Sequence, residues 1–522
     1  MKDAIEQLKV VLNKVQIGSI DCQDECIYLG YLVEMLTENE RLLFWEIVDD
    51  AFGDDTHVYV GFLSMIYKYV DTSYAIKKMI MLLCDDSWTL SDLIAYEYQI
   101  RRYVFAGSTV CKEYHIYLYE YIVKKMKSSF VAAINRKKTS THAENKKILL
   151  VTSQLLDERH SPSFVLANLY YYLNNLEYEV KVLVLNKSRL MTDMGYWWSD
   201  VFMPSEVFQG NKEFVIRYFQ VIDVEGYQYE LHPQTIEEDI RECVQNIVDY
   251  NPALIIDCGG DTFIPEIFND YYPVAFMGFT SEVPPTTDRY ILRYFNDNKL
   301  QDLEKQLQPG QRLISCLFDC KYMPQESPNQ GQIKLIGEDG FKVAIVGNRL
   351  NEEVSGEFES LLLRVVRQNP QIIYIIIGDC DSLQAKYDKS EYRNNFRFVG
   401  YTLCLEALLK HCNLFLNAPR TGGGGGAVQA LKAGVPVLTL GDCDVASVCG
   451  LDFICDSLKE MEDTLLRYCD NDTFMIEQRS LAEKRYKEWY VTPETSEKNI
   501  KQCILEIQNE EKLRISSDMH DN

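Results

Sequence analysis

Asn417 to Leu440 reads NAPRTGGGGGAVQALKAGVPVLTL. A strand-like run, NLFLNAP (Asn413–Pro419), leads in, and five consecutive glycines, Gly422–Gly426, follow. The helix-like AVQALKAG and a second strand-like run, VPVLTL, come after them. Glycine loses the most freedom on ordering, so five in a row suit a plain connection poorly. The order predicts a strand–loop–helix–strand unit with bare backbone at a helix N-terminus.

Three ligand readings compete for that backbone. A P-loop is excluded, because it closes with Lys and Ser/Thr, and Ala427 and Val428 stand there instead. A dinucleotide fingerprint is met formally by Gly422, Gly424 and Ala427, with Asp442 twenty residues beyond Gly422. However, NAPRT separates the glycines from their strand, and the unit comes last in its half of the chain rather than first. The third reading is a helix N-terminus that receives a diphosphate on free N–H groups and the positive end of the helix dipole. A glycine-rich turn without a ligand is the plain alternative.

Outward from this unit the chain alternates strands and helices. FKVAIVGNR (Phe341–Arg349), QIIYIIIGD, FRFVGY and NLFLNAP read as strands, with helical patterns between them. An earlier alternation begins at KKILLVTS (Lys146–Ser153) and runs through the helix SPSFVLANLYYYLNNL and the strand YEVKVLVLN. YFQVIDVEG, PALIIDCGG and YPVAFMGF follow as further strands. A polar stretch, Cys320–Gly340, separates the two halves and reads as a linker or long loop. Residues before about 135 have helical apolar spacing and no proline. The expected division is an all-α domain (1–145), two doubly wound Rossmann-like domains (146–320 and 321–475) facing a cleft, and a helical tail (476–522) crossing back to the first of them.

The 522 residues carry a net charge of −25, which argues against nonspecific binding to nucleic acid or to an anionic membrane. Lys124–Lys147 is the basic exception, read as a solubilising surface or a site for an acidic partner. The sixteen cysteines form no CxxC pair and no zinc spacing, so reduced thiols in a cytoplasmic protein are expected. The N-terminus lacks the apolar core of a signal peptide, and no apolar run is long enough to cross a bilayer.

Leu416 to Ser447 resembles the nucleotide-sugar-binding stretch of GT-B glycosyltransferases, and among them the O-linked N-acetylglucosaminyltransferases and their bacterial protein N-glycosyltransferase relatives. That family has a Leu-Asp-x-Pro strand end and a small-residue loop on the UDP phosphates. A helix bearing an Asp for the ribose follows, then Ala-Gly-x-Pro, a Val/Thr strand and Ala-Ser. Here the matching positions are Leu416-Asn417-Ala418-Pro419, Gly424–Gly426, Gln429, Ala433-Gly434-Val435-Pro436, Thr439 and Ala446-Ser447, and the nucleotide sugar is expected on Pro419, Gly423–Gly426, Ala427 and Gln429. The ribose carboxylate is replaced by Gln429. A family Gln-x-x-Lys pair falls on Arg349 and Glu352, after Asn348, so the resemblance puts the phosphate cation at Arg349. Retaining GT-B enzymes place two glutamates at positions that are Thr421 and Gln429 here, which argues against that subclass.

In the first half, the family's His-Pro-x-Ser after the first strand resembles His160-Ser161-Pro162-Ser163. His160, with an ordinary pKa of ~6.5, is the candidate base, and Asp157 and Glu158 before it are placed to orient it or share its catalytic role. Met277–Leu292 resembles a Gly-rich loop with a Thr pair, which puts Thr286 and Thr287, with Ser163, at the acceptor and adds Glu282 as a second base candidate. The resemblance implies a metal-independent, inverting transferase that moves sugar from a UDP-sugar to a protein, peptide or glycan acceptor, with no resident cofactor. A non-catalytic GT-B-like subunit binding a partner transferase or its substrate is the alternative. Oligomerisation through the N-terminal helices is left open.

Overall fold

The computed structural model describes the chain except for residues 17–22, 54, 106–111, 135–144, 158–159, 194–207, 261, 280–282, 284, 295–302, 321–327, 329, 421, 442, 490 and 519–522. Glu282, Glu158, Thr421 and the two tryptophans of MGYWWSD therefore lie outside the described residues.

Two sheets organise the molecule. The first contains β1 (Lys147–Thr152), β2 (Glu179–Asn186), β3 (Lys212–Tyr218), β4 (Ile222–Glu230), β5 (Leu254–Cys258), β6 (Val274–Met277), β7 (Tyr290–Arg293) and β8 (Arg312–Ser315). Their spatial order is β3-β4-β2-β1-β5-β6-β7-β8. All pairings are parallel except that of β3 with β4. The second sheet contains β9 (Phe341–Gly347), β10 (Ile372–Gly378), β11 (Phe396–Gly400), β12 (Leu414–Leu416), β13 (Val437–Leu440) and β14 (Ile454–Cys455), ordered β11-β10-β9-β12-β13-β14 and wholly parallel.

Parallel strands covered on both faces are apolar at nearly every position, which is why KILLVT and IIYIIIG read as unbroken runs. Alternate residues serve different cores. Ile148 and Leu150 of β1 face one, with the helix Ser161–Asn175. Leu149 and Val151 face the other, which is continuous with the N-terminal helices through Phe44, Leu63, Ile94 and Tyr119. The all-α region is thus built onto one face of the first sheet.

Two sequence readings are corrected. YFQVIDVEG is not one strand: Phe219 and Gln220 have φ of 52° and 57°, and turn the chain from β3 back into β4. The Cys320–Gly340 stretch contains a helix, Gln330–Ile336, whose Ile336 is buried in the second domain.

The last helix, Pro493–Asp518, returns to the first domain, where Ile500, Cys503, Ile504 and Ile507 fill the core beside the helix Ser161–Asn175. Asn499 Nδ2 donates to Leu317 O at 3.0 Å, and Tyr290 OH to Glu511 Oε1 at 2.9 Å. Ile504→Ala is expected to destabilise the first domain by about 2–5 kcal/mol, read by urea denaturation. An unchanged midpoint would detach this helix from that core.

Candidate functional site

The glycine run sits at the carboxyl end of β12, where ligands dock on open parallel sheets. Gly423 caps the helix Gly424–Lys432 with φ of 106°, a conformation that side chains rarely adopt. The helix's own bonding starts with Gly426 N–H and Ala427 N–H on Gly423 O, at 3.0 and 3.3 Å. The N–H groups of Gly424 and Gly425 therefore stand ahead of the ladder. Gly425 is exposed, and Gln429 lies one turn further along the same face.

Beneath this turn lies Arg420, which the sequence reading did not single out. Its guanidinium donates to Asn417 Oδ1 at 2.9 Å, to Val346 O at 2.5 Å and to Glu353 Oε2 at 2.9 Å. Arg420 and Glu353 expose 7% and 9% of their side chains, so the pair is buried. Burial lowers the Arg420 pKa from its ordinary value; Glu353 opposes that shift, and the neighbouring charge of Arg349 adds to it. Asn417 is itself fixed, donating to Thr439 Oγ1 at 3.1 Å. The available signal was an arginine lying between a strand end and a glycine run, with an acid after the first strand of the same sheet.

Arg349, the expected phosphate cation, caps the short helix Leu350–Glu353 at the carboxyl end of β9. Half exposed, it pairs with Glu353 Oε1 at 3.3 Å. One carboxylate thus holds two guanidiniums, one buried and one open to solvent, near the N-terminus of the glycine helix. Asn348, Glu352 and Pro419 are exposed around them.

The first domain presents its own group. His160 caps the helix Ser161–Asn175, and Pro162 occupies the first turn, where no N–H is missed. His160 Nδ1 lies 2.7 Å from Ser163 Oγ, which accepts from Leu156 N–H at 2.8 Å. His160 N–H donates to Asp157 O at 3.1 Å, and the Asp157 carboxylate partly offsets burial, which lowers the ring's pKa to about 4. The ring is therefore neutral at pH 7, and its pKa lies well below the ~6.5 expected from sequence. Ser163 is buried and turned to His160, so it positions the ring; this corrects its assignment to the acceptor.

Thr286 and Thr287 are also corrected. They lead into the amino end of β7, away from the carboxyl ends that line the cleft. Thr286 is buried and donates to Glu266 Oε1 at 3.1 Å, while Thr287 O accepts from Asn269. Because β6 and β7 pair in parallel, the chain between them must cross back to the amino end of β7, a crossover that the sequence motif does not reveal.

The domains meet at the carboxyl end of the first sheet. Asp319, beyond β8, is pushed up by burial, while the charge of Lys432 on the glycine helix opposes the shift. Tyr294, just past β7, is raised by burial and feels both Arg293 and Asp444 of the second domain. A Cβ placed on Gly424 would meet Asp444 Cβ at 3.3 Å, so this contact borders the glycine turn.

Two doubly wound domains facing a cleft, with a helical region on the first, define a GT-B architecture. No protein-family model matches the sequence, and no curated protein does. Among solved structures the chain is similar to an O-GlcNAc transferase mutant from Thermobaculum terrenum, with a TM-score of 0.50 and 11% identity over 97% of this chain and 94% of that one. It is also similar to the pneumococcal O-GlcNAc transferase GtfA in complex with UDP and GlcNAc, with a TM-score of 0.45 and 8% identity over 70% and 99%. A trehalose 6-phosphate synthase from Burkholderia multivorans gives a TM-score of 0.48 and 9% identity over 72% and 99%. At these identities the likeness is one of fold.

Two outcomes are expected. Arg420→Met leaves the buried Glu353 carboxylate with only the half-exposed Arg349 and takes the donors from Asn417 Oδ1 and Val346 O, costing about 3–5 kcal/mol, whereas adding Glu353→Met recovers only the part due to the carboxylate; chemical denaturation of the singles and the double checks it. For His160 the unfolded pKa exceeds the folded one, so the unfolded chain binds more protons between pH 6.5 and 4. Its contribution is present above 6.5 and is lost as pH falls through that window. His160→Gln is expected to flatten the decline in stability relative to the parent, measured by denaturation at stepped pH.

Proposed function

We propose that the chain is a glycosyltransferase that moves a sugar from a nucleoside diphosphate, UDP by the resemblance, to a protein, peptide or glycan acceptor. The observation that carries this reading is the bare first turn Gly423–Gly426 at the carboxyl end of β12, flanked by the Arg420–Glu353–Arg349 group. Backbone N–H groups and a helix dipole receive a diphosphate there, and Arg349 supplies the solvent-facing cation. Gln429 offers an amide to the ribose in place of the family's carboxylate, a weaker partner.

The acceptor enters from the first domain near His160. A lone pair on its oxygen or nitrogen attacks the anomeric carbon from the side opposite the diphosphate. The bond from that carbon to the diphosphate oxygen breaks, and the electrons leave with the diphosphate. The helix amides take up the developing charge, so no metal is required at this step. With Nδ1–H donated to Ser163 Oγ, the His160 Nε2 lone pair is available for the acceptor's proton. A docked diphosphate raises the ring's pKa toward neutrality and improves it as a base. Attack from the opposite side inverts the anomeric centre. In this reading the protein is cytoplasmic, with no resident cofactor.

A second reading, a non-catalytic subunit that binds a partner transferase or its substrate, is favoured by Gln429 and by the exposed Glu352 where the family has Lys. Thermal unfolding with UDP, UDP-sugars and NAD(P) separates the possibilities. Stabilisation by UDP and turnover of a UDP-sugar are expected. Stabilisation by UDP without turnover supports the subunit, NAD(P) alone supports a dehydrogenase, and no response to any nucleotide sinks the transferase. A Cβ at Gly425 meets nothing within 4 Å, so Gly425→Val is expected to keep the parent fold while weakening UDP at least tenfold. Unchanged affinity would move the phosphate site elsewhere.

A further inference from the structure

A second polar site lies behind the first sheet, on the face turned to the N-terminal helices. Asp257, near the end of β5, shares that face with Ile255, two residues earlier. Glu266 comes from the 3-10 turn Pro265–Phe268, and Asp288 from the approach to β7. All three are fully buried, and one carboxylate oxygen from each lies within 4.8 Å of the others.

Asp257 Oδ1 accepts from Gly260 N–H at 3.3 Å and from Thr262 Oγ1 at 3.4 Å. Glu266 Oε1 accepts from Thr286 Oγ1 and from Tyr119 OH, which reaches in from the helical domain. Glu266 Oε2 and both oxygens of Asp288 meet no donor at good hydrogen-bonding geometry, although Asn269 and Thr286 lie close enough to Asp288, and the Thr287 backbone to Glu266, to lower their pKa values somewhat. Asp288 is thus a fully buried side chain beside two other carboxyls, with only weak donors near it. Burial raises the Glu266 pKa by more than the charge of nearby Arg101 lowers it. Arg101 is 2.8 Å from Glu97, and Lys187 lies over the rings of Tyr98 and Phe263. His115 Nε2 is 2.7 Å from Glu97 Oε1. Burial and mutual repulsion push Asp288 well above the usual carboxylate range, and burial raises Glu266. A proton on Asp288 shared with a neighbouring carboxylate is the competing way to relieve this charge, and it leaves the other two carboxylates uncompensated.

We propose that Asp257, Glu266 and Asp288 bind one hard divalent cation of the calcium–magnesium class, which ties the helical domain to the first Rossmann-like domain. Such ions take oxygen ligands, and Ca²⁺ bonds of about 2.3–2.6 Å put opposite ligands roughly 4.6–5.2 Å apart. Three oxygens within 4.8 Å of one another fit around one ion. The bound ion supplies the positive charge that three buried carboxylates require. Tyr119, hydrogen-bonded to Glu266, carries the effect into the N-terminal helices. The site is structural, and the reaction at the glycine turn does not pass through it.

The full chain, purified without chelator, is assayed for metal by plasma mass spectrometry and then melted with EDTA, Ca²⁺, Mg²⁺ or Mn²⁺. About one divalent ion per chain is expected. EDTA should lower the melting temperature and one of the cations restore it, a shift of about 2–4 °C. Asp288→Asn or Glu266→Gln should abolish that response. A parent chain that carries no divalent ion and melts alike in EDTA and in every cation overturns the proposal and leaves shared protons in its place. Should either variant fail to fold, the metal content and the EDTA response of the parent decide the matter.

Discussion

The second domain depends on where one buried guanidinium sits. Arg420 fills the space between the carboxyl ends of β9 and β12, and bonds a backbone carbonyl on the first and a side chain just past the second. The position is demanding. A Cβ on Gly347 would fall 2.2 Å from Arg420 Nη1, and one on Gly423 would fall 3.0 Å from Nε. Both strand-end loops must therefore be bare where they pass the arginine. A buried ion pair contributes little net stability, because desolvation consumes most of its attraction. What the pair with Glu353 supplies is geometry: it fixes the glycine turn relative to the sheet and holds Arg349 beside it.

The first domain solves a different problem. Its sheet is covered on one face by the helix Ser161–Asn175 and the returning C-terminal helix, and on the other by the helix Ile236–Tyr250 and the N-terminal helices. The two-residue period of a strand makes both possible at once, since adjacent residues of β1, β2 and β5 serve opposite cores. Polar groups trapped at such a junction need partners, and the Tyr119–Glu266 bond is one that crosses it. The carboxyls around it are where the match between the two layers leaves charge to be compensated.

The strand–helix alternation was legible because parallel strands are apolar on both faces and their helices on one. The two Rossmann-like halves and the glycine turn follow from that contrast. Less legible were features that depend on pairing across the sequence. Nothing local in Arg420 announces that Glu353, 67 residues earlier, lies against it. The motif around Thr286 and Thr287 gave no sign of which end of β7 they would meet, because that depends on the crossover path. His160 was legible as a residue at a strand end, but its pKa was not, because burial is a property of the assembled domain. The single strand read across Phe219–Gln220 hid a hairpin, since neither residue belongs to the usual turn formers.

The five glycines separate once the backbone is known. Gly423 needs its positive φ, and Gly424 needs the close approach of Asp444 and Val448, at 3.3 and 3.4 Å from a would-be Cβ. At Gly426 a Cβ would make an ordinary 3.5 Å contact with the Phe415 ring, so alanine fits there. Gly422 and Gly425 would meet nothing within 4 Å. Gly425 and Gly426 lie within the helix, where each forgoes about 0.5–1 kcal/mol relative to alanine. The protein's own packing explains Gly423 and Gly424 but not Gly425. A side chain at Gly425 would stand over N–H groups that the helix leaves unused. Its absence matters only to something outside the chain that comes close to them, and the charge such a group must carry is set by the helix end and by Arg349. An anion meets both requirements, which is the ground on which the proposed diphosphate site rests.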